Sequence, residues 1–125
     1  MINRLDHLVL TTTDLDACLD FYQRILKMSV ITFGEQRFAL QFGQQKINIH
    51  QYGKEFEPKA HLPVPGSLDL CFISDIPLIE VQQHIEQQGV EIIEGPVQRT
   101  GAVGKISSLY IRDPDLNLIE ISQYL

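Results

Sequence analysis

The sequence predicts an α+β fold made of two copies of one unit, each a strand followed by a helix and three more strands. Strand-like and helix-like apolar patterns follow one another in the same order in both halves of the chain. A proline-rich stretch, residues 53–66, separates the halves and suits neither a helix nor a central strand. We therefore expect one domain over residues 1–125, with a first module at about 1–53, a connector at about 54–66 and a second module at about 67–125.

The first half begins with an apolar strand and continues into an amphipathic helix. Asp14 can cap this helix by accepting backbone N–H groups, and apolar side chains then recur every three or four residues up to about Lys27. Three short strands follow, with Gly34 and Gly43 in the turns between them. The predicted strands of this half are residues 5–12, 29–33, 37–42 and 46–52.

The second half repeats this order. Its helix is predicted over residues 76–88, and Gly89 suits the position that follows a helix C-terminus. Gly95-Pro96 and the glycines at 101 and 104 indicate breaks between the later strands. The predicted buried face of the helix is Leu78, Ile79, Val81 and Ile85. The predicted strands are residues 68–73, 90–93, 106–111 and 116–123.

Composition argues against several classes of partner. The net charge is −6, with 10 basic against 16 acidic residues and no basic stripe, which disfavours nucleic acid. No apolar run is long enough to cross a membrane and no signal peptide is recognisable, so we expect no membrane association. Cys18 and Cys71 lie in apolar segments without metal-site or disulfide spacing, and we expect buried thiols in a cytoplasmic protein.

Polar side chains stand at related positions in the two halves. Glu120 lies among apolar neighbours in the last strand, and a buried carboxylate must be paired, hydrogen-bonded or bound to a metal. If the first and last strands of each unit are adjacent, and residues 46–50 are matched with 116–120, the related positions hold His7, His50, Asp69 and Glu120. Two imidazoles and two carboxylates suit a divalent metal ion such as zinc, nickel, manganese, cobalt or iron.

Each of these residues also has an ordinary structural interpretation. Glu120 could face solvent on an edge strand, and His7 could be a surface histidine. Asp69 could cap a strand end, while His50 could point to solvent with Asn48 as the inward group instead.

Four motifs carry a family resemblance: residues 5–10 (Leu-Asp-His-Leu-Val-Leu), 14–22 (from Asp-Leu to Phe-Tyr), 111–115 (Ile-Arg-Asp-Pro-Asp) and 117–120 (Asn-Leu-Ile-Glu). Together they resemble the vicinal oxygen chelate superfamily, which includes glyoxalase I, fosfomycin- and bleomycin-resistance proteins and extradiol dioxygenases. Residues 46–50, 53–59 and 94–101 are similar to the branch of glyoxalase domain-containing protein 5-like proteins.

The resemblance implies the glyoxalase/bleomycin resistance/dihydroxybiphenyl dioxygenase fold. In that fold two βαβββ modules form a curved mixed sheet around a metal-binding cleft, often with dimerisation, so we expect a homodimer. His7 matches the ligand of the first strand and Glu120 the carboxylate ligand of the last. Asp69 stands where glyoxalase I has a histidine, and His50 lies within a residue or two of a glutamate ligand, so glyoxalase I activity itself is not assumed.

The implied function is a metal-dependent lyase or isomerase that chelates a small oxygen-bearing substrate, with Glu120 or Asp69 able to serve as general base. One alternative is a non-catalytic small-molecule binding protein of the bleomycin-resistance type, and a further one is an extradiol dioxygenase. The aromatic residues that would line the pocket of a binding protein are Phe21, Tyr22, Phe38, Phe42, Tyr52, Phe72 and Tyr110.

Overall fold

The computed structural model describes every residue from Met1 to Leu125. The chain divides into two compact units, Met1–Ser67 and Leu68–Leu125, and each holds one four-stranded mixed sheet. None of the helices has the length and apolar character needed to span a bilayer.

The sheet of the first unit has the strand order β1-β4-β3-β2. β1 runs parallel to β4, while β3 is antiparallel to both of its neighbours. A parallel pair needs a crossover connection, which the helix after β1 provides. The strands are β1 (His7–Thr12), β2 (Ser29–Phe33), β3 (Arg37–Phe42) and β4 (Gln45–Gln51).

The helix of the first unit begins where the sequence predicts. The side chain of Asp14 accepts a hydrogen bond from the Ala17 backbone N–H at 3.1 Å, which confirms the predicted cap. α1 (Leu15–Asp20) continues into a π-helical turn, Phe21–Ile25. The segment ends at Lys27, which has a left-handed backbone with φ of 60°.

The second unit repeats this architecture, which confirms the predicted duplication. Its order is β5-β8-β7-β6, with β5 parallel to β8 and the remaining pairs antiparallel. Its elements are β5 (Asp69–Ile73), α2 (Leu78–Gln87), β6 (Glu94–Thr100), β7 (Lys105–Arg112) and β8 (Leu118–Tyr124).

Helix α2 differs from its prediction in one residue of the buried face. Leu78, Val81 and Ile85 are buried, but Ile79 is 59% exposed, because it lies about 100° around the helix from Leu78. The predicted end is confirmed: the Gly89 N–H bonds the Glu86 carbonyl at 3.0 Å, and the next N–H bonds the Ile85 carbonyl at 3.2 Å. This is the Schellman arrangement, and Gly89 adopts the positive φ that it requires.

The predicted strand at 90–93 is wrong. The strand instead occupies Glu94–Thr100, and so contains Gly95-Pro96, which the sequence indicated as a break. β6 is the edge of its sheet, where a proline costs no interior hydrogen bond, and the register shifts between Glu94 and Val97.

β8 is a central strand of the second sheet, so the edge-strand interpretation of Glu120 is excluded. The turn that leads into β8 is held by the buried carboxylate of Asp113. This carboxylate accepts hydrogen bonds from the Asn117 backbone N–H at 2.9 Å and from the Asn117 side chain at 2.8 Å. Asn117 in turn accepts a hydrogen bond from the Leu68 N–H at 2.8 Å, which ties the start of β8 to the start of β5.

Candidate functional site

The register of β1 and β4 decides which side chains share one side of the first sheet. His7 lies opposite Lys46, and Thr11 lies opposite His50. Because side chains alternate along a strand, His7, Asn48 and His50 all project from the same side. We call this side of the first sheet the His7 face.

His7 and His50 are not neighbours on the His7 face. The register separates them by four residues, about 13 Å along the strands, whereas Asn48 is offset from His7 by two residues, about 7 Å. Metal ligands place their donor atoms about 2 Å from the ion, so the nearer residue is the better companion. The register therefore favours Asn48 over His50 as the partner of His7.

The second sheet has the same arrangement of polar positions. Asp69 lies opposite Leu118, and Cys71 lies opposite Glu120. Asp69 and Glu120 thus share one side, here called the Glu120 face, with an offset of two residues.

The two registers align the units more reliably than residue identity does. His7 corresponds to Asp69, because each is the first paired residue of its parallel strand pair. Asn48 corresponds to Glu120, because each lies two residues beyond the partner of that first residue. The repeat alignment that matched residues 46–50 with 116–120, and so His50 with Glu120, was wrong by two residues, because the strand pairing cannot be seen in the sequence.

His7 is exposed and oriented by a neighbouring carboxylate. Its Nδ1 lies 2.8 Å from Oδ2 of Asp6, and this hydrogen bond holds the pKa of the Asp6 carboxyl below its usual value. A carboxylate on Nδ1 turns Nε2 outward, as in many histidines that bind metals.

Asn48 and His50 carry buried polar atoms without hydrogen-bond partners. The atoms are Oδ1 of Asn48 and Nδ1 of His50, whose side chain is only 4% exposed. His50 therefore does not point to solvent. Burial lowers the pKa of His50, the charge of Arg37 adds to this, and Glu55 opposes it. An unpaired buried polar atom costs about 1–3 kcal/mol, so such atoms mark places where a ligand can bind.

Glu120 is half-buried and held by two serines. Its Oε2 accepts hydrogen bonds from the hydroxyls of Ser108 at 2.6 Å and Ser122 at 3.3 Å, and the two hydroxyls lie 2.7 Å apart. Sequence reasoning missed both serines. The period-two alternation of side chains along the strand could have found Ser122, two residues after Glu120. Only the register of β7 with β8 shows that Ser108 lies opposite Ser122.

Cys71 also lies on the Glu120 face. Its thiol is exposed, contrary to the prediction of two buried cysteines, and its sulfur lies 3.3 Å from the Ser122 hydroxyl. Partial burial of the sulfur raises the pKa of the Cys71 thiol, the hydrogen bond to Ser122 lowers it, and the neighbouring Glu120 carboxylate raises it further.

An arginine holds Tyr110, a tyrosine of the Glu120 face. Tyr110 lies opposite Glu120 in the register, and the Arg99 side chain donates to its hydroxyl at 3.1 Å and to Glu94 at 3.1 Å. Burial is the main cause that raises the pKa of the Tyr110 phenol, against the lowering effect of Arg99.

The donors present fit a divalent cation, although no three His, Cys, Asp or Glu side chains converge into a complete site. Each face instead offers a pair: an imidazole and an amide oxygen on the His7 face, and two carboxylates on the Glu120 face. The Oδ1 of Asn48 is buried without a partner, which is the state expected of an oxygen that awaits a cation. Nitrogen and oxygen donors of this kind suit first-row divalent metals.

A cavity of about 550 Å³ lies away from these residues, within the first unit. Phe38 and Ile49, which line it, project from the side of the sheet opposite to the His7 face. Of the aromatic residues predicted to line a pocket, Phe21 and Tyr22 are buried against each other at 5.2 Å between ring centroids and belong to the core. None of the candidate ligands lines the cavity, and His50 borders it only through its ring contact with Phe56.

Two βαβββ units with matching registers, each with a donor pair on one face, define a protein of the glyoxalase type. The chain belongs to the Glyoxalase/Bleomycin resistance protein/Dioxygenase superfamily, which it matches over residues 4–121. The fold is that of lactoylglutathione lyase from Agrobacterium tumefaciens, with a TM-score of 0.74 and 22% identity over 98% of this chain and 94% of that one. Identity at this level shows the fold alone.

Two relatives are much more similar in sequence. Glyoxalase domain-containing protein RDO1 of Mycosarcoma maydis is 58% identical over 98% of this chain and 69% of its own length. Virulence protein STM3117 of Salmonella typhimurium is 58% identical over 100% of this chain and 87% of its own length. The crystal structure of STM3117 has a TM-score of 0.99 and covers 100% of this chain and 99% of that one. Neither name states a substrate.

Proposed function

We propose that the protein is a metal-dependent enzyme of the lyase or isomerase type that acts on a small oxygen-bearing molecule. The observation that carries this proposal is the common register of the two units, which puts a donor pair at the same two positions in each. Family membership alone does not choose this function, because the family name covers an enzyme, a resistance protein and a dioxygenase.

The proposed cation ligands are His7, Asp69 and Glu120, with a fourth donor from β4. The candidates for the fourth donor are Asn48 and His50, and the register favours Asn48. Such a cation would act as a Lewis acid toward two neighbouring oxygens of the substrate. Zinc, nickel, manganese, cobalt and iron all accept these donors.

Glu120 is the proposed general base toward a carbon-bound proton of the substrate. The Ser108 and Ser122 hydroxyls donate to its Oε2 and hold the carboxylate in one orientation, which is what proton transfer over a short distance requires. Tyr110, fixed by Arg99 on the same face, can orient a substrate oxygen.

The direct test is the metal content and activity of purified protein. We expect the stripped protein to take up one equivalent of a divalent cation, and we expect His7→Ala and Glu120→Gln each to lower cation affinity by roughly tenfold or more. His61→Ala, in the connector, and Glu80→Gln, on an exposed face of α2, are the matched controls. No uptake of any cation by the wild-type protein would refute the proposal.

Turnover separates the enzyme from a binding protein. The refilled protein should convert at least one member of a panel of small 2-oxo and 2-hydroxy compounds, and the stripped protein should not. Binding of such compounds that is unchanged in His7→Ala and Glu120→Gln, with no turnover, would instead favour sequestration.

We propose a cytoplasmic homodimer. Mixing of variants tests whether the two copies of such a dimer share their cation sites. If two copies share their sites, refolding of His7→Ala together with Glu120→Gln should restore roughly a quarter of the cation sites, because one site in each mixed dimer receives neither substitution. If each chain holds its own site, the mixture should restore none.

A further inference from the structure

Two cationic side chains and two phenyl rings form a cluster at the His7 face of the first sheet. The Arg37 guanidinium carbon lies 5.3 Å from the centroid of the Phe33 ring and 4.4 Å from that of Phe56. The Lys46 ammonium lies 4.1 Å from the same Phe33 ring. A guanidinium that stacks on rings keeps its N–H donors free at its edge, where they can bind an oxyanion in a bidentate way.

Arg37 is half-buried and has no acidic partner. It forms neither a hydrogen bond nor an ion pair, in contrast to Arg24, which binds Asp20 at 3.0 Å, and Arg99, which binds Glu94 at 3.1 Å. Arg4 and Arg112 also lack a carboxylate partner, but each donates to a protein oxygen, Oε1 of Gln44 and the Leu116 carbonyl, whereas the Arg37 side chain donates to none.

Two carboxylates close to this cluster are engaged elsewhere. Asp6 binds Nδ1 of His7 at 2.8 Å. Both oxygens of Glu55 accept the Gly53 backbone N–H, at 2.8 and 2.9 Å, although the charge of Glu55 still acts on His50. Neither of these carboxylates forms an ion pair with Arg37 or Lys46.

His50 lies beside Arg37 on the His7 face. Phe38 lies opposite Ile49 in the register of β3 and β4, so the next positions on these strands, Arg37 and His50, are neighbours. The His50 ring contacts Phe56 edge-on at 5.6 Å, and its buried Nδ1 has no partner. The Arg37 guanidinium and Nδ1 of His50, which is a donor in one tautomer, thus lie at neighbouring positions without a protein acceptor, and this suits a ligand that supplies oxygen atoms.

We propose that Arg37 and His50 bind a carboxylate group of the substrate, which makes the substrate a small carboxylic acid. His50 lies two residues beyond Asn48, about 7 Å along β4, so this carboxylate is several bonds from the oxygens that would reach the cation. The claim that other oxygens of this substrate reach a cation rests on the proposed function. The binding of a carboxylate by Arg37 and His50 does not rest on it, because it requires only residues of the first unit.

The test is a titration of metal-free protein with glutarate, followed by NMR of the arginine Nε–H and histidine ring signals. Glutaramide, the neutral diamide of the same shape, is the control ligand. We expect glutarate to shift the Arg37 and His50 signals in a saturable way and glutaramide to leave them unchanged. Absence of any Arg37 or His50 shift with glutarate, or equal shifts with glutaramide, would overturn the proposal.

Variants then assign the effect to these residues. Arg37→Gln should raise the Kd for glutarate by about tenfold or more, and Arg37→Lys, which keeps the charge but not the bidentate edge, by less. Arg24→Gln removes an equal charge from α1 and its π-helical extension and should leave the Kd unchanged. Equal Kd values for wild type and a folded Arg37→Gln would refute the assignment, and the wild-type titration decides the matter if that variant does not fold.

The outcome is independent of the cation. Glutarate binding at Arg37 in a protein that takes up no cation would uphold the carboxylate site and remove the proposed chelation. Cation uptake without glutarate binding would uphold the proposed cation site and overturn the carboxylate site.

Discussion

The two units share one topology and one register, but the polar side chains on their faces differ in how far they are hydrogen-bonded. On the Glu120 face the carboxylate, two serines and the Cys71 thiol satisfy one another through hydrogen bonds, and Arg99 joins Tyr110 to Glu94. On the His7 face Arg37 has no acidic partner, and Asn48 and His50 hold unpaired buried atoms. The same scaffold therefore presents a hydrogen-bonded set of polar side chains in one unit and buried polar atoms without hydrogen-bond partners in the other.

The steric demand on glycine is the sharpest difference between the units. Gly95 has a φ of 112°, and a Cβ there would collide with the Ser108 carbonyl and lie 3.0 Å from the Leu109 Cα, whereas a Cβ on Gly43 would meet nothing within 4 Å. Gly95→Ala should lower the free energy of unfolding by about 4 kcal/mol and disturb Ser108, while Gly43→Ala should cost only about 1 kcal/mol. Urea denaturation of both variants measures this, and similar losses would show that packing against Ser108 is not tight.

The turn into the last strand is the next point of contrast. The second unit uses the buried Asp113–Asn117 clasp there, while the first unit makes its corresponding turn with Gly43 and Gln44. Asn117→Ala should cost about 3 kcal/mol, because it leaves the Leu68 N–H without its acceptor and removes the side-chain donor to Oδ2 of Asp113. Gln44→Ala, in an exposed turn, should change stability by less than about 0.5 kcal/mol in the same urea experiment. Equal effects would contradict the structural role of the clasp.

The residues that orient the candidate ligands also differ between the units. Ser108 is buried beside Glu120, whereas Asp6 is exposed beside His7. Ser108→Ala should therefore weaken cation binding by roughly tenfold and lower stability by about 1 kcal/mol, while Asp6→Asn should have the smaller effect on cation binding. Isothermal titration with zinc or nickel measures the cation affinity of both variants. A larger loss of affinity in Asp6→Asn than in Ser108→Ala would contradict this prediction.

The smallest expected effect is a gain in stability. Leu116 has a φ of 71° and a side chain that is 66% exposed, so it gains little from burial to offset a left-handed backbone. Leu116→Gly should stabilise the protein by roughly 0.5–1 kcal/mol. Leu62→Gly is the matched control, because Leu62 is also exposed but has no positive φ, and it should not stabilise. A thermal denaturation midpoint that falls in Leu116→Gly would show that the side chain contributes more than its exposure indicates.

Much of the local structure could be predicted, and the errors have physical causes. The cap at Asp14, the helix end at Gly89 and the turns at Gly34 and Gly43 are short-range features, and all are found in the structure. β6 was misplaced because a proline is normally read as a break, while an edge strand tolerates it.

The sequence by itself determined the order of elements, the repeat and the two polar strands on which the candidate ligands lie, because alternation and capping are written in neighbouring residues. Only the tertiary structure decided which of those polar residues are neighbours. Strand pairing shifts the match of Glu120 from His50 to Asn48, brings Ser108 to Glu120 and puts Arg37 beside His50. These relations join residues far apart in the chain through the register of backbone hydrogen bonds, and a shift of two residues in that register leaves the alternation pattern of each strand unchanged.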